Sequence, residues 1–230
     1  MVLWDIDGTL VRAGDIGAAV FDLALEAVLG RRPEARIVMS GKTDPQIVRE
    51  YLDQMGVAPS AEVVDSVLRG VEGQLAAAAA DGELLERGSA CAGVAEVLAA
   101  LDDHPRVVSS LLTGNLYPNA LVKVGAFGLD RYLDLQLGAY GSDHHDRNEL
   151  VPVALRRLED ERGVRLEGEQ VWVVGDTPRD LACARAAGAR CLLVATGRYR
   201  FDELDALGAD ATMADLSDTD SVVELLTVGL

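Results

Sequence analysis

Short runs dominated by valine and leucine, at 2–5, 107–112, 134–139, 171–174 and 191–195, punctuate the chain and predict strands buried on both faces. Between the later runs, apolar residues recur at helical spacing. In 93–102, Val94, Val97, Leu98 and Leu101 fall at i, i+3, i+4 and i+7. Comparable faces cover 117–127, 149–161 (Leu150, Ala154, Leu158) and 179–187, the last followed by Gly188 as a C-cap. This alternation of strand and helix specifies an α/β fold with a doubly wound parallel sheet, whose sites gather at the carboxyl ends of strands.

Residues 14–88 break that rhythm. They show helical faces around 16–29, 43–55 and 60–80, separated by Gly30, Gly56 and Gly82, and no convincing strand. An all-helical insertion beginning straight after the first strand would sit over that strand's end like a lid. The predicted organisation is an α/β core from 1–13 and 89–230, with 14–88 as an inserted helical cap domain.

Composition narrows the partners. Lys and Arg total 21 against 38 Asp and Glu, a formal charge of −17, so no basic stretch is available to neutralise nucleic acid. A small anionic substrate remains compatible if a metal and a few local cations invert the field in one pocket. Cys91, Cys183 and Cys191 all lie in apolar surroundings and read as reduced core residues. The longest helix-like apolar run, 75–80, is too short to span a bilayer, so no membrane partner is expected. Met1 leads almost at once into Asp5, which gives the expectation of no signal peptide and a cytoplasmic protein.

Candidate chemistry collects at the predicted strand ends. The first run leads into Asp5 and Asp7, spaced i, i+2 and so on one side of an extended strand, with Gly8 to turn the chain. The pair is either a solvated Asx turn or two acids gathered around a cation, one as nucleophile and the other as proton carrier. The second run ends at Thr113-Gly114-Asn115, a hydroxyl and free N–H groups suited to an anion, or else a turn with Asn115 capping the next helix. The run at 171–174 ends at Gly175-Asp176-Thr177-Pro178-Arg179-Asp180. Pro178 fits a first helical position and Thr177 with Asp180 a capping box, which leaves Asp176 without a structural task. Asp5, the Asp7 carbonyl and Asp176 would offer Mg2+ an oxygen shell completed by waters and a phosphate.

These residues resemble the haloacid dehalogenase-like hydrolases, in their phosphoglycolate phosphatase-like branch. Asp5-Ile6-Asp7-Gly8-Thr9-Leu10 matches the first motif of that family, Thr113 the second and Gly175–Asp180 the fourth, while 14–88 has the place and length of its C1 cap. The third motif departs from the family, because 141–150 contains no lysine. Arg147 is the best substitute, just ahead of a predicted helix; its structural alternative is a surface pair with Asp143 or Asp146. Lys123 falls mid-pattern on a helix and is read as solvated surface. His144 and His145, with no second ligand cluster, are read as a solvent-facing or substrate-lining loop.

The resemblance implies a Mg2+-dependent phosphatase acting through an aspartyl phosphate. Asp5 would attack phosphorus, and Asp7 would protonate the leaving oxygen and then deprotonate water. Thr113, Gly114, Asn115 and Arg147 would hold phosphate, Asp180 would orient Arg147 or the metal shell, and Gly8 and Thr9 would support the loop. Lys42 of the cap would reach the rest of a small phosphorylated metabolite: phosphoglycolate, a sugar phosphate or a nucleotide. The protein would act as a monomer or homodimer. Haloacid dehalogenation, phosphomutase activity and a non-enzymatic regulator are the competing readings.

Overall fold

The computed structural model describes residues 1–229. In chain order the elements are β1 (Val2–Trp4), β2 (Val11–Arg12), α1 (Ile16–Leu29), α2 (Asp44–Gln54), α3 (Ala61–Ala80), α4 (Glu83–Arg87), β3 (Ser89–Ala90), α5 (Val94–Asp102), β4 (Ser109–Leu111), α6 (Tyr117–Ala126), α7 (Leu150–Arg162), β5 (Trp172–Gly175), α8 (Pro178–Ala186), β6 (Arg190–Val194), α9 (Phe201–Asp205), β7 (Ala211–Met213) and α10 (Thr219–Thr227). A five-stranded parallel sheet runs in the order β4-β1-β5-β6-β7. Trp4 at the end of β1 pairs with Leu111 on one side and Val174 on the other, so three loops issue from adjacent strand ends.

Side chains alternate across the sheet with period two. Val2, Trp4, Trp172, Val174, Leu192 and Val194 enter one apolar layer, facing α5, α6 and α10. Leu3, Val173, Cys191 and Leu193 enter the opposite layer, facing α7 and α8. Burying each large aliphatic side chain contributes roughly 1.5–3 kcal/mol, which drives the sandwich. All three cysteines are free and buried.

α1, α2 and α3 pack on one another through a separate apolar cluster that includes Phe21, Leu25, Tyr51, Leu52, Val67 and Leu75. They form an inserted helical cap. The chain leaves the core at β2 and returns at β3, and these two strands pair antiparallel, Val11 with Ala90 and Arg12 with Ser89. Two crossing strands tied side by side fix where the helices stand relative to the sheet. Thr43 and Ser60 cap α2 and α3 with their side chains.

The expected strand at 134–139 does not form. Its residues are buried where the pattern requires, Leu137 and Ala139 lying in the second apolar layer. The backbone turns instead: the Asp134 side chain accepts from Gln136 N at 3.2 Å and the Leu137 N–H donates to the Asp134 carbonyl, leaving only a bridge between Leu112 and Ala139. The fifth strand is β7, a short, half-exposed edge strand whose Ala-Thr-Met sequence carries little apolar signal.

Candidate active site

β1 ends one residue before Asp5, whose backbone N–H still donates to the Val174 carbonyl at 2.9 Å. Gly8 then reverses the chain at φ 89°, and its N–H returns to the Val11 carbonyl at 2.8 Å. A Cβ at Gly8 would lie 2.5 Å from Asp176 Oδ2, and one at Gly197 1.6 Å from the same atom, so Asp176 is enclosed by two bare backbone segments. The Thr9 hydroxyl donates to Asp176 Oδ1 at 3.4 Å.

Asp5 and Asp7 line one cavity but meet different partners. Asp5 is buried, with its Oδ1 3.0 Å from Arg147 Nη2. Burial pushes its carboxyl up to about 6, against the pull of the Arg147 guanidinium. The Asp7 side chain is 46% exposed, and Lys123 Nζ donates to both its oxygens at 2.6 Å. Asn115 Nδ2 donates to Asp7 Oδ2 at 2.7 Å and to Thr113 Oγ1 at 2.8 Å, while Asn115 Oδ1 accepts from Lys123 at 2.7 Å.

Lys123 is therefore not a surface residue. It is 6% exposed on the inward face of α6, one helical turn beyond buried Asn119. The i, i+4 pairing of Asn119 with Lys123, beside the buried Ala120 and Val124, is the sequence signal that places it there. Nor does Asn115 cap α6. Leu116 occupies the cap position, and its N–H donates at 2.9 Å to the carboxylate of Asp44, which comes from the N-terminus of α2. Burial pushes the Asp44 carboxyl up to about 6, with Lys123 opposing.

Arg147 reaches the site from a single 3-10 turn at Arg147–Glu149, for which Asp146 is the cap. Its guanidinium pairs with both Asp5 and Asp180, and it donates to the carbonyls of Leu112 at 3.3 Å and Gly41 at 3.5 Å. Burial works against its charge, but Asp180 and Asp5 outweigh that and raise its pKa. The surface-pair alternative is overturned: Asp143 belongs to Arg157, at 2.6 Å. Asp180 serves twice, capping α8 through Thr177 N at 3.0 Å and Thr177 Oγ1 at 2.7 Å while it holds Arg147.

Carboxylate oxygens of Asp5, Asp176 and Asp180 lie within 4.8 Å of one another, all buried. Burial, then the charges of Asp180 and Asp5, push Asp176 up to about 8. One arginine against three buried acids leaves negative charge uncompensated, and the donors are all hard oxygens; this set fits a divalent cation. Asp180 is committed to Arg147 and Thr177, so Asp5 and Asp176 carry the free donor capacity.

The cap loop 40–44 presses directly on this machinery. A Cβ at Gly114 would come within 2.0 Å of the Lys42 carbonyl, and one at Gly41 within 2.5 Å of Thr177 Oγ1. The Asp44 N–H donates to the Gly114 carbonyl at 2.7 Å and the Thr43 hydroxyl to the His145 carbonyl at 2.6 Å. Lys42 lines the cavity and pairs with Glu50. His144 and His145 stack with ring centroids 4.7 Å apart on the outer loop, and neither lines the acid-bearing cavity.

The parallel sheet, with acids at adjacent strand ends and a helical insertion above them, is a capped α/β fold. The sequence profile of the haloacid dehalogenase-like hydrolases matches residues 2–185, and the chain belongs to that family. Solved structures similar to it include a hydrolase from Pseudomonas syringae (18% identity, 98% of each chain, TM-score 0.73). A predicted phosphoglycolate phosphatase from Haemophilus somnus 129PT is also similar (20%, 96% of each chain, TM-score 0.69). So is a CbbY mutant from Rhodobacter sphaeroides in complex with xylulose-(1,5)bisphosphate (21%, 94% of each chain, TM-score 0.73). At these identities the likeness is one of fold. No curated protein sequence matches the chain. No helix among the described residues is long and apolar enough to cross a membrane.

Proposed function

We propose that this hydrolase is a Mg2+-dependent phosphatase that cleaves a small phosphate monoester through an aspartyl phosphate on Asp5. The observation that carries the reading is the placement of Asp5: a buried carboxylate kept beside a guanidinium, at the end of β1 between β4 and β5, and open to a cavity. An Asp5 oxygen attacks phosphorus and the ester oxygen departs with a proton from Asp7. Water, deprotonated by Asp7, then attacks the phosphorylated Asp5, releasing phosphate and restoring the carboxylate. Atoms balance as ester plus water giving alcohol plus phosphate.

Arg147, Thr113 and the N–H groups of Gly114 and Asn115 hold phosphoryl oxygens. Lys123 and Asn115 keep Asp7 at the cavity wall. Asp5, Asp176 and the Asp7 carbonyl would hold Mg2+, which when bound offsets the repulsion between carboxylate and phosphate. In this reading 14–88 is the cap domain, 1–13 with 89–230 is the catalytic core, and Lys42 faces the substrate's remaining part. The family resemblance and the Lys123–Asp7 contact together favour phosphate chemistry over haloacid dehalogenation, which has no use for a proton carrier at Asp7.

Phosphate release from p-nitrophenyl phosphate with Mg2+ tests the proposal. Asp5→Asn should abolish it and chelation should stop it reversibly. Halide release from a 2-haloacid, or full turnover by Asp5→Asn, would sink it.

A further inference from the structure

Above the acids the cavity, about 460 Å3, continues into the cap. That is within the roughly 300–1,000 Å3 usual for small-ligand pockets. Its far wall is made by Val20 and Phe21 of α1, Met39, Ile47 of α2, and Val71 and Leu75 of α3. Apart from Met39, which packs against it, these residues belong to the apolar cluster that holds the cap together, so the cavity opens into the cap's own core.

Three of the cations around it are paired with carboxylates, and two, Arg12 and Arg198, are exposed at its core side. Lys42 pairs with Glu50, Lys123 with Asp7, and Arg147 with Asp5 and Asp180, while Arg12 Nε donates to the Thr196 carbonyl at 2.8 Å. Arg198 sits on the exposed loop after β6, on the core side. A second anionic group carried to the wall formed by α1, α2 and α3 would be desolvated against aliphatic and aromatic side chains.

The geometry points to a substrate whose alcohol half is an uncharged apolar group, alkyl or aryl, seated between Phe21, Ile47, Val71 and Leu75. This inference rests on the phosphatase reading above. Gly17 of α1 also lines the cavity, and a Cβ added there meets nothing within 4 Å. A side chain at that position would fill space that the apolar group otherwise takes.

Methyl phosphate, hexyl phosphate and phosphoglycolate, each assayed with Mg2+, test it. Methyl and hexyl esters have nearly the same leaving oxygen, so their difference reports burial of the chain. Each buried methylene should multiply kcat/KM by about fourfold. Hexyl phosphate should exceed methyl phosphate at least tenfold, and phosphoglycolate should not exceed methyl phosphate. Gly17→Leu should lower the hexyl-to-methyl ratio about tenfold, with Ala18→Leu as the second variant should Gly17→Leu not fold. Equal rates for the two alkyl esters, or a preference for phosphoglycolate, would overturn the apolar assignment while the phosphatase stands. Turnover of none of these esters by the wild-type protein, with halide released from a 2-haloacid, would overturn both.

Discussion

The ammonium of Lys123 lies 2.6 Å from each oxygen of Asp7, bridging α6 to the loop after β1. The same nitrogen donates to Asn115, and Asn115 donates back to Asp7, so the carboxylate is held in a closed triangle. Such a clamp fixes the orientation of the Asp7 carboxylate at the cavity wall, which under the proposed mechanism sets where its proton goes.

Replacing Lys123 should therefore depend on the leaving group. p-Nitrophenolate departs with little help, whereas an alkoxide needs a proton. Lys123→Met and Asp7→Asn should both lose at least tenfold more activity on hexyl phosphate than on p-nitrophenyl phosphate. Equal losses on the two esters in Lys123→Met would assign Lys123 to stability alone.

Arg147 is paired with two buried acids, Asp5 and Asp180. Truncation to alanine strands both charges, a change that typically costs about 3–5 kcal/mol. Urea unfolding of Arg147→Ala should show a loss of that order, partly recovered in Arg147→Lys, which restores the charge without the fork that spans two carboxylates. A loss below about 1 kcal/mol would contradict the ion-pair arrangement.

Gly114 admits the cap loop, and a methyl group there meets the Lys42 carbonyl at 2.0 Å. Gly114→Ala should push residues 40–44 off the core without unfolding the sheet. Amide exchange in that loop should accelerate, and KM should rise several-fold. Unchanged exchange and KM would show that the loop does not need this approach.

Chelated protein should lose stability as pH rises from 6 to 8. Asp176 titrates near 3.9 when unfolded and is pushed up to about 8 in the fold by burial and by its acidic neighbours. Between those values the folded state holds the proton more tightly, so its contribution is full at low pH and is lost as pH rises through 8. Asp5 and Asp44 act in the same direction but are raised only to about 6, while the buried Met1 amine, held below its ordinary value by burial, acts oppositely, so Asp176→Asn is the comparison that singles out Asp176. Melting temperatures in chelator should fall across pH 6–8, flatten in Asp176→Asn, and recover on adding Mg2+. A flat wild-type profile would refute the burial argument.

Much of this was legible along the chain. Apolar runs located β1, β5 and β6, which are buried on both faces, and helical periodicity located α1, α2, α3, α5, α6, α7 and α8, which each bury one face, all to within a residue or two. The expected strand at 134–139 does not form, and β7 forms where no apolar run announces it, because burial and strand geometry are separate demands. Leu137 satisfies the first without the second, while β7 satisfies the second with almost no apolar signal.

The sequence by itself determined which acids stand at strand ends, since strand length, Gly8 and the Pro178 turn are local matters. Only the tertiary structure decided what those acids face. Lys123 and Asn119 sit 116 and 75 residues along the chain from their carboxylate partners Asp7 and Asp44. Arg147 finds Asp5 and Asp180 only when β1, its own 3-10 turn and α8 are packed together. Ion-pair partners are chosen by distance in space and by exclusion from water, and neither quantity exists in a sequence until the core has closed.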